Sequence, residues 1–271
     1  MHRTAFRRSI SGTQPGLVLA IVPARLGADA KQRLASVLPP EARRRLAMAM
    51  LEDVLAALAA SSGVGSILVA AGDADALDLA LRCGALWLEE PIGGLGLNAA
   101  LARALNLQPT LPPRAGVGAY SGAGADGAGT SLRAGPALIV MGDVPLLEAA
   151  DVDLMLDQLH RDGPAAIAAV SRDGTGTNAL ALSDPSLFAP AFGPFSLARH
   201  RVAATLGGIR WAELALPRVA LDIDTPEDLL RLRSEARPES ATGRCLADFT
   251  TDVVSEIQQG DGTTRRAVAN S

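Results

Sequence analysis

The sequence is poor in aromatic residues, which make up only 3% of its 271 residues. Since 48% of the residues are nevertheless apolar, a core of normal size must be built mainly from Ala, Leu and Val. Cysteine occurs only twice, at Cys83 and Cys245, without a metal-binding or redox spacing. We therefore expect two free thiols in a reducing cytoplasm.

Three further absences narrow the function. No apolar run approaches the ~20 residues that are needed to cross a bilayer, so no membrane partner is expected. The formal net charge of −4 argues against a nucleic-acid-binding protein that relies on overall positive charge. No G-x-x-x-x-G-K-[ST] motif occurs, which disfavours a P-loop NTPase.

The stretch ALIVMGDVPLL, residues 137–147, contains the strand around which the rest of the chain is predicted to be organised. Its five apolar residues at the start have strand length, and Gly142 and Pro145 end the pairing. Asp143 is then placed at the carboxyl end of the strand, where open α/β sheets bind their ligands. Taken alone, the motif is equally compatible with a turn that carries a solvated Asp.

Predicted strands alternate with predicted helices along most of the chain, which is typical of βαβ units and a mostly parallel sheet. We expect an α/β fold with three layers, α/β/α. The predicted strands are 17–22, 66–71, 85–88, 137–141, 165–170, 179–182, 211–216 and 219–223. The predicted helices are 40–60, a helix capped by Asp73 that ends near 82, 95–107, 149–160, 197–205 and a helix that begins with the capping sequence at Thr225.

We divide the chain into one domain, 17–233, with extensions at both ends. Residues 1–16 are expected to form a disordered extension, with an export signal as the less favoured reading. Residues 109–135 are rich in Gly, Ala and Ser and are predicted to be a flexible insertion, with a functional lid as the alternative. Residues 234–271 form a polar tail in which one amphipathic helix could dock or form a homodimer.

Two acids near the end of the domain, Asp222 and Asp224, flank Ile223. If this stretch is a strand, its side-chain period of two places both carboxylates on one face, where they repel each other unless a cation lies between them. Together with Asp143 they would offer three hard oxygen ligands, a set that suits Mg²⁺ bound to a phosphate substrate. Without His or Cys nearby a zinc site is not expected, and two surface acids beside a helix start are the alternative.

Basic and glycine-rich loops supply candidate anion sites. The loop after the first strand carries Arg25, Lys31 and Arg33, placed for a polyphosphate or, alternatively, simply solvated. Two later loops offer backbone amides and hydroxyls, one at Thr175, Gly176 and Thr177 and one at Gly193 and Ser196. Ser196 is equally compatible with a plain helix N-cap, and His200, one turn later, with a structural hydrogen bond. The Gly94–Asn98 loop before a helix is a weak signal alone.

Six motifs follow one another along the chain: VPARLGADAKQRL, GGLGLNAAL, VMGDVPLL, RDGTGTNAL, FGPFSLARH and LDIDTPEDL. In this order they resemble the phospholactate guanylyltransferase family, which is grouped with nucleotidyltransferases similar to the molybdenum-cofactor guanylyltransferases. The resemblance covers about residues 17–232 and implies a nucleotide-diphospho-sugar-transferase-like Rossmann-type domain. The family transfers GMP from GTP to 2-phospho-L-lactate, phosphoenolpyruvate or 3-phospho-D-glycerate, in coenzyme F420 biosynthesis.

The resemblance also implies that magnesium is the cofactor and GTP a co-substrate, and it implies roles for single residues. Metal binding falls to Asp143, Asp222 and Asp224, and catalysis to Asp143, Lys31 and Arg33. Nucleotide binding falls to Arg25, Lys31, Arg33, Gly94, Leu97 and Asn98. Binding of the acid falls to Thr175, Gly176, Thr177, Gly193 and Ser196.

Three residues depart from the family's usual pattern: Arg25 replaces Lys, Gly142 replaces Ala and Phe195 replaces Gly. Phe195 lies beside the acid-binding loop, so it bears on which acid is used. Two alternatives to a phospho-acid guanylyltransferase remain: a transferase for another acceptor, such as a sugar phosphate or a molybdopterin, and a GTP-sensing module without turnover.

Overall fold

The computed structural model describes residues 18–27, 30–90, 96–107, 135–161, 163–187 and 189–249. The expected N-terminal extension, almost all of the expected insertion, Gly94 and the end of the tail lie outside these ranges. None of the described helices combines the length and the apolar character that crossing a lipid bilayer requires.

One seven-stranded sheet forms the centre of the domain, in the order β3-β2-β1-β4-β6-β5-β7. Only β6 runs antiparallel to its neighbours, so the expectation of a mostly parallel sheet is confirmed. The strands are β1 (Val18–Pro23), β2 (Val64–Ala71), β3 (Leu86–Glu89), β4 (Ala137–Val140), β5 (Ala165–Val170), β6 (Thr177–Leu182) and β7 (Arg210–Leu214).

Helices cover both faces of the sheet, which confirms the three-layer fold. One face packs against α1 (Pro40–Ala60), α2 (Ala74–Arg82), α4 (Ala149–Leu159), α6 (Pro217–Ala220), α7 (Pro226–Glu235) and α8 (Ala241–Ala247). The other face packs against α3 (Leu97–Leu107) and α5 (Ser196–Leu206). The three central parallel strands, β2, β1 and β4, are almost entirely buried, as expected for strands covered on both faces.

The predicted strand at 219–223 is wrong. Pro217 begins the short helix α6, since proline needs no N–H partner in a first turn, and residues 221–224 continue as extended backbone outside the sheet ladders. A single backbone hydrogen bond, from Ile223 N–H to the carbonyl of Asp143, holds this segment beside the end of β4 at 3.3 Å. Although this segment is not a strand, its side chains still alternate in burial: Leu221 and Ile223 are buried, and Asp222 and Asp224 are half-buried.

The first part of the predicted polar tail, residues 234–249, packs against the domain. Helix α8 lies on α1, and Cys245, Leu246 and Phe249 are buried in the core on that face. Asp53 of α1 accepts hydrogen bonds from the first two backbone amides of α8, at 2.8 Å each. These contacts satisfy a helix N-terminus that the sequence pattern alone does not connect to α1.

Candidate active site

Three chain segments meet at the carboxyl end of the central strands. Asp143 follows β4, Asp222 and Asp224 lie in the extended segment before α7, and Lys31 comes from the loop after β1. The convergence of Asp143 with the later acid pair was predicted, and the structure places them together although Asp143 precedes the two acids by 79 and 81 positions in the chain. The edge where they meet is the one that parallel sheets use for ligands.

Lys31 is the cation of this cluster. Its ammonium lies 2.5 Å from Asp143 Oδ2 and 3.0 Å from Asp224 Oδ1, and only 10% of its side chain is exposed. Burial alone would lower the pKa of Lys31, but the negative charges of Asp143 and Asp224 outweigh it, so the pKa is raised. Lys31 is therefore a fixed positive charge at neutral pH. Arg33 lies farther out, 3.8 Å from Asp224, with 74% of its side chain exposed.

Asp222 has a different environment from the other two acids. Burial, reinforced by the charge of nearby Asp143, raises the pKa of its carboxyl group. The Asn178 amide donates to Asp222 Oδ1 at 3.3 Å, while its other contacts go to the carbonyls of Val219 and Ala220. A cation between Asp222 and Asp143 would remove the repulsion that raises this pKa.

The donor set fits magnesium, because three carboxylates supply the hard oxygen atoms that this ion prefers. In this conformation the ammonium of Lys31 holds the position between Asp143 and Asp224. Accordingly, no cluster of three or more His, Cys, Asp or Glu side chains in the described ranges is arranged as a ready metal site. Binding of the ion would require Lys31 to move or the free side of Asp143 to be used with Asp222.

A cavity of about 340 Å³ opens beside the cluster. It is lined by the ends of β1 and β2, by one side of α1 and by the start of α3, and its lining includes Arg25 and Leu97. Its polar lining residues are Arg25, Lys31, Glu90, Asp143 and Asp224.

Asn98 makes a two-point contact that differs from the predicted contact with a nucleotide. Its side-chain oxygen accepts from the Phe192 N–H at 2.8 Å, and its side-chain nitrogen donates to the Phe192 carbonyl at 3.0 Å. Asn98 therefore links the start of α3 to the segment that precedes α5, and in this conformation its amide is used inside the protein.

The two predicted acid-binding loops lie side by side. Thr177 begins β6 instead of lying in the loop, and its N–H donates to Ser196 Oγ at 2.9 Å. Ser196 is the first residue of α5, while the N-cap is Phe195, so the reading of Ser196 as a plain N-cap is wrong. Both hydroxyl-bearing residues are buried, with 4% of Thr177 and 2% of Ser196 exposed.

The conformation of the outer part of these loops depends on the hydrogen bonds of Asp173 and on two residues whose backbone has a positive φ. The Asp173 carboxylate accepts from Ser171 Oγ, the Thr175 hydroxyl and the Thr175 N–H, and these bonds lower its pKa to about 2. Gly193 has φ +112° and Phe195 has φ +57°. An aromatic residue rarely adopts this conformation, whereas glycine adopts it without a steric penalty.

Residues 44–207 match the MobA-like NTP transferase domain. The chain belongs to the MobA-like NTP transferase family. It is 36% identical over 220 residues to the phosphoenolpyruvate guanylyltransferase of Sphaerobacter thermophilus, covering 80% of this chain and 93% of that one. It is 34% identical over 239 residues to the 3-phospho-D-glycerate guanylyltransferase of Phenylobacterium zucineum, covering 88% and 96%.

The fold is also similar to solved structures. A chain from Desulfovibrio desulfuricans, assigned as a nucleotide-diphospho-sugar transferase, matches with a TM-score of 0.62 at 16% identity, covering 89% of this chain and 97% of that one. This likeness supports the fold alone. Together with the family match, it makes the chain a nucleotidyltransferase with an α/β Rossmann-like domain.

Some residues of this NTP transferase site were missed at the sequence level. Glu90 lines the cavity directly after β3, and burial raises the pKa of its carboxyl group against the opposing charges of Arg25 and Arg103. Its place just beyond the carboxyl end of a strand is the signal that identified Asp143, and the same rule could have found it. Asp73 is the N-cap residue of α2, as predicted, but its side chain makes no capping hydrogen bond. It accepts instead from the Leu26 N–H at 3.2 Å and so holds the first loop.

Proposed function

We propose that this enzyme transfers GMP from GTP to a phosphorylated three-carbon acid and releases pyrophosphate. The observation that carries the proposal is the cluster of Asp143, Asp224 and Lys31 at the mouth of a cavity, on a chain of the NTP transferase family. Relatives that are 34–38% identical are phosphoenolpyruvate and 3-phospho-D-glycerate guanylyltransferases, which support this class of acceptor.

The nucleotide would bind at the cavity beside α1 and α3. Arg25, which lines the cavity, and Arg33, which is exposed at its outer side, provide positive charge for the triphosphate. Leu97, at the start of α3, offers an apolar contact. Gly94 lies outside the described residues, and its role in nucleotide binding rests on the resemblance. Asp143 and Asp224, the ion-pair partners of Lys31, would bind a metal ion. Lys31 would then neutralise charge that develops on the phosphates.

The acid would bind at the paired loops of β6 and α5. A phospho-acid carries a carboxylate and a phosphate, and such anions need N–H and O–H donors. Gly193 offers its backbone amide, and Thr177 and Ser196 offer hydroxyls, within two adjacent turns. In this conformation the amides of Thr175 and Gly176 and the Thr175 hydroxyl donate to Asp173 and Ser171, and they would have to be released to contact the acid. Leu197 N–H donates to the Thr175 carbonyl, which holds the two turns together at 3.1 Å.

The chemistry is a substitution at phosphorus. A phosphate oxygen of the acid forms a bond to the α-phosphorus of GTP, the bond from that phosphorus to the bridging oxygen breaks, and pyrophosphate leaves with the electron pair. Asp143, Asp222 and Asp224 would hold magnesium, which would neutralise phosphate charge and align the reacting groups. The residues themselves bind and orient, and no covalent enzyme intermediate is required.

The product would serve coenzyme F420 biosynthesis, as the family resemblance implies, in the cytoplasm, where the free thiols of Cys83 and Cys245 stay reduced. Light scattering of the purified chain tests whether it is a monomer or a homodimer.

Pyrophosphate release tests the proposal directly. The full chain is given GTP and Mg²⁺ with 2-phospho-L-lactate, phosphoenolpyruvate or 3-phospho-D-glycerate, and each guanylylated product is identified by mass. We expect release only with GTP and at least one acid. GTP binding without release with any of the three would contradict the proposal, and release with only a sugar phosphate or a molybdopterin would reassign the acceptor.

A further inference from the structure

His200 connects the two halves of the proposed acid site. It lies in α5 with no exposed surface, and each ring nitrogen faces a hydrogen-bonding group. Nε2 lies 2.8 Å from the Ala191 nitrogen, and Nδ1 lies 3.1 Å from Thr177 Oγ1. The ring also packs edge-on against Phe192, with 4.9 Å between centroids. His200 therefore joins the start of β6 to the segment before α5.

The contact with Ala191 determines where the ring proton is. A backbone N–H can only donate, so Nε2 must accept and carries no proton. Burial, assisted by the charge of Arg199, lowers the pKa of His200 to about 4, so the ring is neutral at pH 7. A neutral imidazole has one N–H, which must then be at Nδ1, and this group donates to Thr177 Oγ1.

This tautomer determines the role of two hydroxyl groups. Thr177 Oγ1 accepts from His200, and Ser196 Oγ accepts from the Thr177 N–H. Each oxygen thus receives an internal hydrogen bond and keeps its own hydrogen. Within the described ranges, neither hydroxyl donates to a protein acceptor. Both hydroxyls are therefore ready to donate to an anion, which is what a carboxylate or phosphate requires.

We propose that His200 is a positioning residue for the acid: its Nδ1–H fixes the Thr177 hydroxyl as a hydrogen-bond donor, and its Nε2 fixes the Ala191–Phe192 backbone that leads into the Gly193 turn. The inference rests on the proposed function, in which Thr177, Gly193 and Ser196 bind the phospho-acid. His200 itself touches no substrate in this role.

Two amide variants separate the two contacts of the ring. In His200→Asn the amide nitrogen can take the place of Nδ1 and keep the bond to Thr177, whereas in His200→Gln the amide oxygen can take the place of Nε2 and keep the bond to Ala191. We expect His200→Gln to raise the KM for the acid about tenfold, because the donor that orients the Thr177 hydroxyl toward the charged acid is lost. We expect His200→Asn to raise this KM about twofold, because that donor is kept. The KM for GTP should change less than about twofold in both.

Equal increases of the acid KM in the two variants, or equal effects on acid and GTP, would show a merely structural role and overturn the proposal. A second measurement needs no change at position 200. The chain has three histidines, so ¹⁵N-histidine labelling gives a simple NMR spectrum, in which signals from His2 and His160 are removed by His→Gln changes. We expect His200 to be neutral at pH 7, with its proton on Nδ1.

A proton on Nε2 would overturn the role of His200 whatever the activity. The variant Thr177→Val distinguishes this failure from a failure of the proposed acid site. If the tautomer is as expected but Thr177→Val leaves the acid KM unchanged, Thr177 does not bind the acid. The assignment of this site, and the positioning role with it, would then fall, while guanylyl transfer itself could still be measured by pyrophosphate release.

Discussion

Lys31 donates a hydrogen bond of 2.5 Å to Asp143, which follows it by 112 positions in the chain. Lys31 is also the only lysine in the sequence, and the other 24 of its 25 Lys and Arg residues are arginines. An ammonium is a compact point charge that fits between two carboxylates, whereas a guanidinium is a wide planar fork. The cation at the centre of the site is thus of a kind that the chain uses nowhere else.

Removing this cation should destabilise the protein in the absence of metal. In Lys31→Met, Asp143 and Asp224 face each other uncompensated, and we expect a loss of about 1–2 kcal/mol in the free energy of unfolding, given their partial exposure. Mg²⁺ should restore most of the loss if it binds these carboxylates. Urea unfolding with and without Mg²⁺ measures both effects.

Arg33→Gln is the matched control for Lys31→Met. It removes a positive charge that lies 3.8 Å from Asp224 but is 74% exposed, so its cost should stay below about 0.5 kcal/mol. If Lys31→Met is as stable as the native protein without metal, the ion pairs of Lys31 do not contribute to stability.

Asp143→Asn should lower kcat about 100-fold or more, because it keeps the shape of the side chain but removes a charge from the proposed metal site. The melting temperature should change by only a few degrees, since 30% of the Asp143 side chain is exposed. Steady-state kinetics at saturating GTP and acid measure the change. Asp157→Asn, on the exposed face of α4, is the control. A kcat near normal in a folded Asp143→Asn protein would contradict the metal assignment for this residue.

His200 predicts how stability depends on pH. Its pKa is about 4 in the folded protein and 6.5 in the absence of burial, so between these values the unfolded chain binds more protons. Stability therefore rises with pH in this window, and lowering the pH from 7 to 5 should cost about 2 kcal/mol through this group. Urea unfolding at both pH values should show that His200→Asn loses about that much less than the native protein. Parallel losses in the two proteins would show that His200 is not held neutral by the fold.

Phe195→Gly should change the preference among acids. The ring is 67% exposed between Gly193 and Ser196, and its removal opens space beside the proposed acid site. We expect 3-phospho-D-glycerate to gain relative to the smaller phosphoenolpyruvate when both compete at equal concentration with GTP. The mass of the guanylylated products gives the ratio. Stability should change by about 1 kcal/mol or less, since relief of the left-handed conformation offsets the lost packing. Unchanged product ratios would show that Phe195 does not set specificity.

Much of the fold follows from local patterns. The helix Pro40–Ala60 and the strand Ala165–Val170 have the predicted bounds, because apolar periodicity and the turn residues around them agree. The capping sequence at Thr225 was also recognised, and Thr225 and Asp228 form the reciprocal capping bonds. The prediction of a strand at 219–223 was wrong because a short apolar run cannot by itself be distinguished from a helix that begins at Pro217.

The acids and the basic loop of the site were found in the sequence because chemistry in this fold is concentrated where strands end. Lys31, Asp143 and Asp224 were each identified there. The contacts of these residues were not predicted. Lys31 was expected to contact a triphosphate, and in the structure it bridges Asp143 and Asp224. The pairing of side chains across more than 100 residues depends on strand order, which local patterns do not contain.

Local patterns in the sequence predict most of the helices and strands, the alternation that makes the sheet mostly parallel, and the residue types that phosphate chemistry needs. Three features depend instead on tertiary contacts: Asn98 holds Phe192, His200 has its proton on the side of Thr177, and α8 completes the core on α1. Propensity and periodicity act over a few residues, whereas hydrogen-bond roles and burial are fixed by whichever distant segments the fold brings into contact.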